Sequence, residues 1–555
     1  MMMTGSYDAV IIGGGHNGLV CGAYLSRAGL KVAVVERAPQ VGGCILSDTP
    51  VGLPGYILDL GGVEHGRLWG SRIVAELDLE KHGLRLIPRD IYVGGIFPGG
   101  RALVISRDLE ATCASIARIC PADADAYRRF VAASAGVVDL LGALNDGPPP
   151  RFSTLARLGA LLPRGSRLDA CVRLFLQSSS AVLDEWFQSD ELKALIGSYA
   201  THSQLPPSQG GSGYMPALLA GIHHRGMPAR TRGGSGAFIA SLLASLQSLG
   251  GEALTGRGVT RVLVEHGRAV GVRLDDGELV RARRAVVSAV DARRLLLDLL
   301  PAEDVPLSYR QEAGRIRAGG ANVGEMSMGL ALSGLPDFGP AFSDAALTGS
   351  AYVAPTPRYL EEAFLDIARG DLPTRPALMW CLPSTTDAAL APGGAHTLWL
   401  AAFVPWKLRD GRAWDDVKDE MADRALAVLA AYAPDLPGLV RGRVVMSPLD
   451  WARRTGNLAG SADHVDQTLD QMLGNRPSPR LAGYRTPIRG LYLTGAGTHP
   501  GGGVSGISGR NTAQAVLRDL GGRGHPPGRP LLHDLAARGG AAARGWRALD
   551  HLYRS

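Results

Sequence analysis

The chain has 555 residues, 46% of them hydrophobic and 20% charged, which excludes disorder as its main state and leaves room for two or three domains. Its formal charge of +6 comes almost wholly from arginines scattered along the chain, with only five lysines, so no clustered basic face points to nucleic acid. Six cysteines, Cys21, Cys44, Cys113, Cys120, Cys171 and Cys381, form no CxxC or CxxxxC pair, so the spacing signals neither a zinc site nor a redox disulfide. They fit a reducing compartment, and a cytoplasmic protein is expected, because no signal peptide or apolar run of spanning length is read.

The first predicted element is a buried parallel strand, Asp8-Ala-Val-Ile-Ile12, followed by GGGHNG at 13–18. Gly13, Gly15 and Gly18 satisfy GxGxxG. The first glycine permits a tight turn, the second lets backbone approach a pyrophosphate, and the third lets helix pack on strand. A helix over Leu19–Ala28 then points its first amides at the phosphates. The second strand, Lys31–Val35, ends on Glu36, a carboxylate placed to accept from ribose hydroxyls and to repel a 2′-phosphate. The chain continues as ERAPQVGG over 36–43, a second basic and glycine-rich return. NAD needs nothing there, whereas the longer FAD gains from a second close approach of backbone.

Beyond it, YILDLGG at 56–62 reads as a loop beside the cofactor, with Asp59 and Glu64 as carboxylates that orient loops. Residues 91–108 read as a hairpin around Pro98-Gly99-Gly100, and Asp108 caps a helix through Ile119. A mainly helical stretch follows to Gly221, broken at Gly147-Pro148-Pro149-Pro150. Within it, residues 151–175 carry five arginines (Arg151, Arg157, Arg164, Arg167, Arg173) among apolar residues, a pattern that suits peripheral membrane contact or a solvated cap helix.

A second glycine cluster, Gly233-Gly234-Ser235-Gly236, precedes a helix over Phe238–Leu249. Strand patterns follow at Val259–Val264, across the Gly267–Gly277 hairpin and at Ala285–Ser288, and a mixed segment runs to about Arg480. The last return is GLYLTGAGTHPGGGVSG at 490–506, a strand, a glycine loop and then a helix from Arg510 to Leu520. Such a loop at a helix start holds about half a positive charge against an electron-rich group. His499 in this loop is the candidate general base, or else a residue that shapes the loop. His202, His223 and His224 lack the spacing of a metal site, and no metal is expected. The tail, 521–555, places Trp546, Leu549, Leu552 and Tyr553 at helical intervals.

These pieces resemble the phytoene desaturase-related branch of the FAD-containing amine oxidase superfamily, nearest to the members named for a pyridine nucleotide-disulfide oxidoreductase domain. The carrying residues are GGGHNGL at 13–19, ERAPQVGG at 36–43, RDLEAT at 107–112, GGSGA at 233–237, RTPIRGLYLTGAGTHPGGGVSG at 485–506 and GRNTAQAV at 509–516. The resemblance implies an α/β fold: a Rossmann-like FAD-binding domain with an inserted α+β substrate domain. The expected FAD-binding segments are 1–100, 230–300 and 481–520; 101–229 and 301–480 make the substrate or cap domain.

It further implies non-covalent FAD held by Gly13, Gly15, His16, Asn17, Gly18, Glu36, Arg37, Gly42, Gly43, the backbone of Val259, Gly495, Gly497, Gly503 and Val504. The implied partner is a hydrophobic small molecule, and nucleic acid is not expected. Ser235 stands where many relatives carry Met and Arg232 precedes the glycine pair, so the substrate class does not transfer. The expected activity is FAD-dependent dehydrogenation of a hydrophobic, polyene-like substrate by hydride transfer to flavin N5. Two alternatives stay open: isomerase, saturase or cyclase chemistry without net oxidation, and a flavin-bearing scaffold without turnover.

Overall fold

Five parallel strands drawn from three distant parts of the chain make the first sheet in the computed structural model, which describes residues 3–145, 147–149 and 172–521. Met3–Ile12 lies at its centre, flanked by Val32–Val35 and by Leu279–Ser288. Glu252–Leu254 extends the sheet beyond Val32–Val35, and Leu491–Leu493 pairs with Val286–Ser288 on the other side. A hairpin, Val259–Glu265 with Arg268–Leu274, adds antiparallel strands to Leu279–Arg281.

Side chains alternate across a strand, so Ala9 and Ile11 pack under one layer while Val10 and Ile12 pack under another. The first layer is the helices His16–Arg27, Ser235–Ser248 and Ile507–Asp519, with Leu19, Phe238, Leu242 and Val516 buried against the strands. Burial on both faces explains why these strands read as continuous apolar runs. The helix starts differ from the sequence expectation by three residues each, because glycine loops lead into them and glycine gives no apolar period to read.

The second sheet is ordered Val440–Met446, Val323–Leu332, His396–Pro405, Leu378–Cys381, Ser350–Val353, Ile91–Phe97, Arg101–Ser106. Its pairs are antiparallel except Ser350–Val353 with Ile91–Phe97. Met326, Met328, Leu330, Leu400 and Trp380 are buried on the face that the helix Trp414–Ala430 covers. Ile91–Phe97 was expected among the nucleotide-binding segments ending at residue 100; it belongs to this second sheet instead. Its sequence shows a hairpin with Arg101–Ser106, and that local pairing carries no information about which larger sheet the hairpin joins.

The helical segment contains Pro121–Asn145, Ser179–Trp186, Asp190–Ala200 and Tyr214–Arg225. As read, Asp108 caps its helix, its carboxylate accepting from the amides of Glu110 and Ala111. Residues 151–171 of the arginine-rich stretch and 522–555 of the tail lie outside the described residues; Arg173, which is described, pairs with Glu185. No helix among the described residues is long and apolar enough to cross a membrane.

Candidate functional site

The three N-terminal glycines do three different jobs. Gly13 turns the chain at φ +100°, a conformation that L side chains resist. At Gly18 a Cβ would stand 2.1 Å from the Gly13 carbonyl oxygen, so helix and strand touch there backbone to backbone. At Gly15 a Cβ would meet no atom within 4 Å. The helix that follows has no side-chain cap and no acidic residue in its first turn, so its leading amides face that same space.

Glu36 reaches over the loop, accepting from the Gly14 amide at 2.7 Å and the Ala38 amide at 2.8 Å. The second glycine pair returns onto the first: the Gly42 amide donates to the Gly14 carbonyl at 2.9 Å, and a Cβ on Gly43 would lie 3.3 Å from the Gly15 Cα. Arg37 donates to the carbonyls of Arg453 and Arg454, at the end of the helix Pro448–Thr455, and Arg454 donates to Gly43. Val259 opens its strand two residues after Arg257, whose amide donates to the Glu36 carbonyl at 3.0 Å.

The C-terminal glycine loop meets this arrangement directly. Asn17 accepts from the Gly509 amide at 3.2 Å, and a Cβ on Gly509 would fall 2.3 Å from the Asn17 carbonyl oxygen, so the helices His16–Arg27 and Ile507–Asp519 converge at their N-termini. The His16 ring bonds the Gly503 backbone and lies 3.1 Å from the Asn17 amide nitrogen; burial holds its pKa at about 4, hence neutral. Gly495 and Gly497 both pack on His464, and Val504 packs on Gly62. Arg67 donates to the Gly502 carbonyl at 3.3 Å.

His499 is 1% exposed, and its Nε2 donates to the Leu144 carbonyl at 2.8 Å, at the end of the helix Pro121–Asn145. Burial lowers its pKa to about 4. Asp59 and Glu64 do orient loops. Asp59 accepts from the Ser235 amide and the Ser47 hydroxyl, the former at 2.8 Å. Burial works to raise the Glu64 pKa, but Arg89 and Arg230 outweigh it and hold the carboxyl below its ordinary range, with Ser350 donating at 2.6 Å.

Several residues escaped the sequence reading. Arg476, 1% exposed, donates to the carbonyls of Asp463, Val465, Asp466, Gln471 and Ala496, locking the glycine loop to the segment before it. His202, read in the sequence only as lacking metal-site spacing, shares a 2.6 Å hydrogen bond with the Tyr352 hydroxyl, and the Tyr199 ring, not singled out there, lies edge-on at 5.3 Å. Glu325, Met379 and Phe403, on the second sheet's other face, keep accessible surface, as do Tyr199 and His202. A cavity of about 180 Å³ lies alongside, lined by Gln204, Leu205, Arg317, Val323 and Asp466 among others. No motif marks these residues; only Glu325, a lone charge in an apolar strand, offered a signal.

Two glycine loops sharing one point of convergence, with open space at Gly15 for a close backbone approach, fit FAD. Residues 18–328 match the family of flavin containing amine oxidoreductases. The chain belongs to that family. Pyridine nucleotide-disulfide oxidoreductase domain-containing protein 2 of Rattus norvegicus is 33% identical over 93% of this chain and 94% of its own. The lycopene-forming phytoene desaturase of a Paracoccus species is 28% identical over 92% of this chain and 97% of its own. The solved structure of cyclohexylamine oxidase from Brevibacterium oxydans shares the fold, with a TM-score of 0.57 at 16% identity, covering 93% of this chain and 99% of that one. This amine oxidoreductase family member is therefore an FAD-binding oxidoreductase of phytoene desaturase-like type, with a Rossmann-like domain and a substrate domain. The five described cysteines are all free, so the relative's disulfide name has no counterpart among them.

Proposed function

We propose that the protein dehydrogenates a hydrophobic, polyene-like substrate. The observation that carries this reading is the convergence of two helix N-termini and two glycine loops, which the 58–62 segment joins to the second sheet: Gly62 lies against Val504, and Ser327 donates to the Leu60 carbonyl. FAD, when bound, would supply the two-electron acceptor. Gly13, Gly15 and Gly18 would seat the pyrophosphate, Glu36 the ribose, and Gly42 and Gly43 the stretch between. Val504 and the Gly495–Gly503 loop would lie along the flavin. The start of the Ile507–Asp519 helix, whose Ile507 and Gly509 amides are held by Ser505 and Asn17, would meet the negative charge of a reduced flavin with its fixed dipole.

Met379 and Phe403, which keep accessible surface, would give the substrate an apolar surface. His499, neutral and tied to Leu144, shapes the loop in this reading. The proposed domain division keeps the expected segments, with Ile91–Phe97, a strand of the second sheet, counted in the substrate domain. The test is anaerobic mixing of holoenzyme with hydrophobic metabolite fractions. The expected result is bleaching of the oxidised flavin band with a product two hydrogens lighter. An isomeric product with the flavin left oxidised would favour the non-oxidative alternative.

A further inference from the structure

Along the strand Val323–Leu332, Met326, Met328, Leu330 and Leu332 enter the core beneath Trp414–Ala430, so Glu325, Ser327 and Gly329 take the opposite face. That face abuts the flavin-side loop: the Ser327 hydroxyl donates to the Leu60 carbonyl at 2.6 Å, and Gly329 lies against Leu58 and Leu60. Glu325 stands further along the same row, opposite Phe403. Three titratable groups act on it or feel it: Asp463 from the segment held by Arg476, Cys44 directly after the second glycine pair, and Tyr352 from the same sheet. The Asp463 carboxylate in turn lies against Gly502, where a Cβ would fall 1.6 Å from its oxygen. Glu325 thus sits where the substrate face, the second glycine loop and the C-terminal glycine loop meet.

Other buried acids of the region are spoken for. Glu64 has Arg89 and Ser350, Asp59 has Ser47 and Ser235, and Asp463 has Gln467. Among the described residues, no hydrogen bond or ion pair reaches the Glu325 carboxyl. The side chain keeps accessible surface, so its carboxyl is open to a molecule lying on this face.

We propose that Glu325 is the proton acceptor of the reaction, taking a proton from the substrate carbon next to the one that gives up its hydride. The inference rests on the dehydrogenase reading above. The electrons balance: one C–H pair leaves with the hydride to oxidised FAD, and the other becomes the new C=C bond as the proton passes to the carboxylate. Burial first, and the Asp463 charge second, raise the Glu325 pKa to about 7, close to the value at which a carboxylate serves as a base in neutral solution.

The test compares wild-type holoenzyme with Glu325→Gln and Glu325→Asp. Without substrate, the absorption of oxidised bound flavin is followed across neutrality. A one-proton transition is expected in wild type and in Glu325→Asp, and none in Glu325→Gln; its absence from wild type overturns the proposal. With the substrate found by product profiling, Glu325→Gln is expected to slow flavin reduction by about 10²–10⁴-fold at unchanged FAD affinity, with Glu325→Asp intermediate. A dehydrogenated product made by Glu325→Gln at the wild-type rate overturns Glu325 and leaves the dehydrogenase reading standing. An isomeric product made at a Glu325-dependent rate overturns that reading and keeps Glu325 as the group that moves the proton.

Discussion

Adding one methyl group at Gly15 and one at Gly18, three residues apart, should have opposite consequences. At Gly18 the new carbon would sit 2.1 Å from a backbone oxygen that no rotamer change can move, against ordinary contacts beginning at 3.4 Å. The first helix must therefore retreat by about 1.3 Å from the sheet it is buried on. Overpacking of this kind costs about 1–3 kcal/mol, and the rigidity of the contact puts Gly18→Ala at or above the upper end. At Gly15 the backbone stands at φ −66°, ψ 166°, which alanine adopts freely, and nothing lies in the way. Its fold should be unharmed within about 1 kcal/mol, the loss of a good N-cap being offset by reduced chain entropy.

That methyl would instead occupy the approach to the first-turn amides. Two charge-assisted bonds to phosphate, about 1.5–3 kcal/mol each, would be lost, lowering FAD affinity by roughly 10²–10⁴-fold. Thermal melting of the apoprotein and titration with FAD, followed by quenching of flavin fluorescence, separate the two effects. Wild-type FAD affinity in Gly15→Ala would show that the pyrophosphate sits elsewhere. Wild-type melting of Gly18→Ala would refute the packing argument.

Four further outcomes are expected. Acid or heat should release FAD from the yellow holoenzyme into the supernatant, since the Gly490–Gly506 loop carries no cysteine for a thioether; flavin pelleting with the chain would contradict this. Glu36→Ala should weaken FAD binding about ten- to hundredfold by equilibrium titration, whereas Glu36→Gln, which keeps an acceptor for the Gly14 or Ala38 amide, should lose less. Arg476→Met leaves five carbonyls without their donor and should cost at least about 3 kcal/mol in denaturant unfolding, with FAD lost at lower denaturant than in wild type. Burial lowers the pKa values of His65 and His499 to about 4 and of His223 to about 3, from 6.5. A depressed folded pKa means stability present above pH 6.5 and lost as pH falls, so these three should contribute close to three protons to the uptake on unfolding there, with His16, His202 and His464, also lowered to about 4, adding to it. Glu325, raised from 4.5 to about 7, opposes this with one proton between those values; a flat stability profile from pH 6.5 to 4 would refute the burial of the three histidines.

The glycine spacing at 13, 15 and 18, the acid at the end of the second strand and the strand–loop–helix of the last return were all legible in the sequence. Each is a local device, in which a turn, a close approach or a dipole is made by residues within a few positions of one another. The apolar runs Ala9–Ile12 and Ala285–Ser288 likewise declared strands covered on both faces, because burial on both sides removes the alternation a half-exposed strand would show. The sequence could not say what covers a face or which distant segment meets another. Asn17 and Gly509 touch across 492 positions, Arg476 gathers carbonyls from two segments, and Ile91–Phe97 joins a sheet whose other strands, apart from its hairpin partner, come far later. Glu325 is the sharpest case: its strand pattern shows that it leaves the core, but only the tertiary structure brings Asp463 and the residue after the second glycine pair beside it. A carboxyl's proton affinity is set by its neighbours in space and the water they exclude, and in this fold Asp463 and Cys44 lie 138 and 281 positions from Glu325 along the chain.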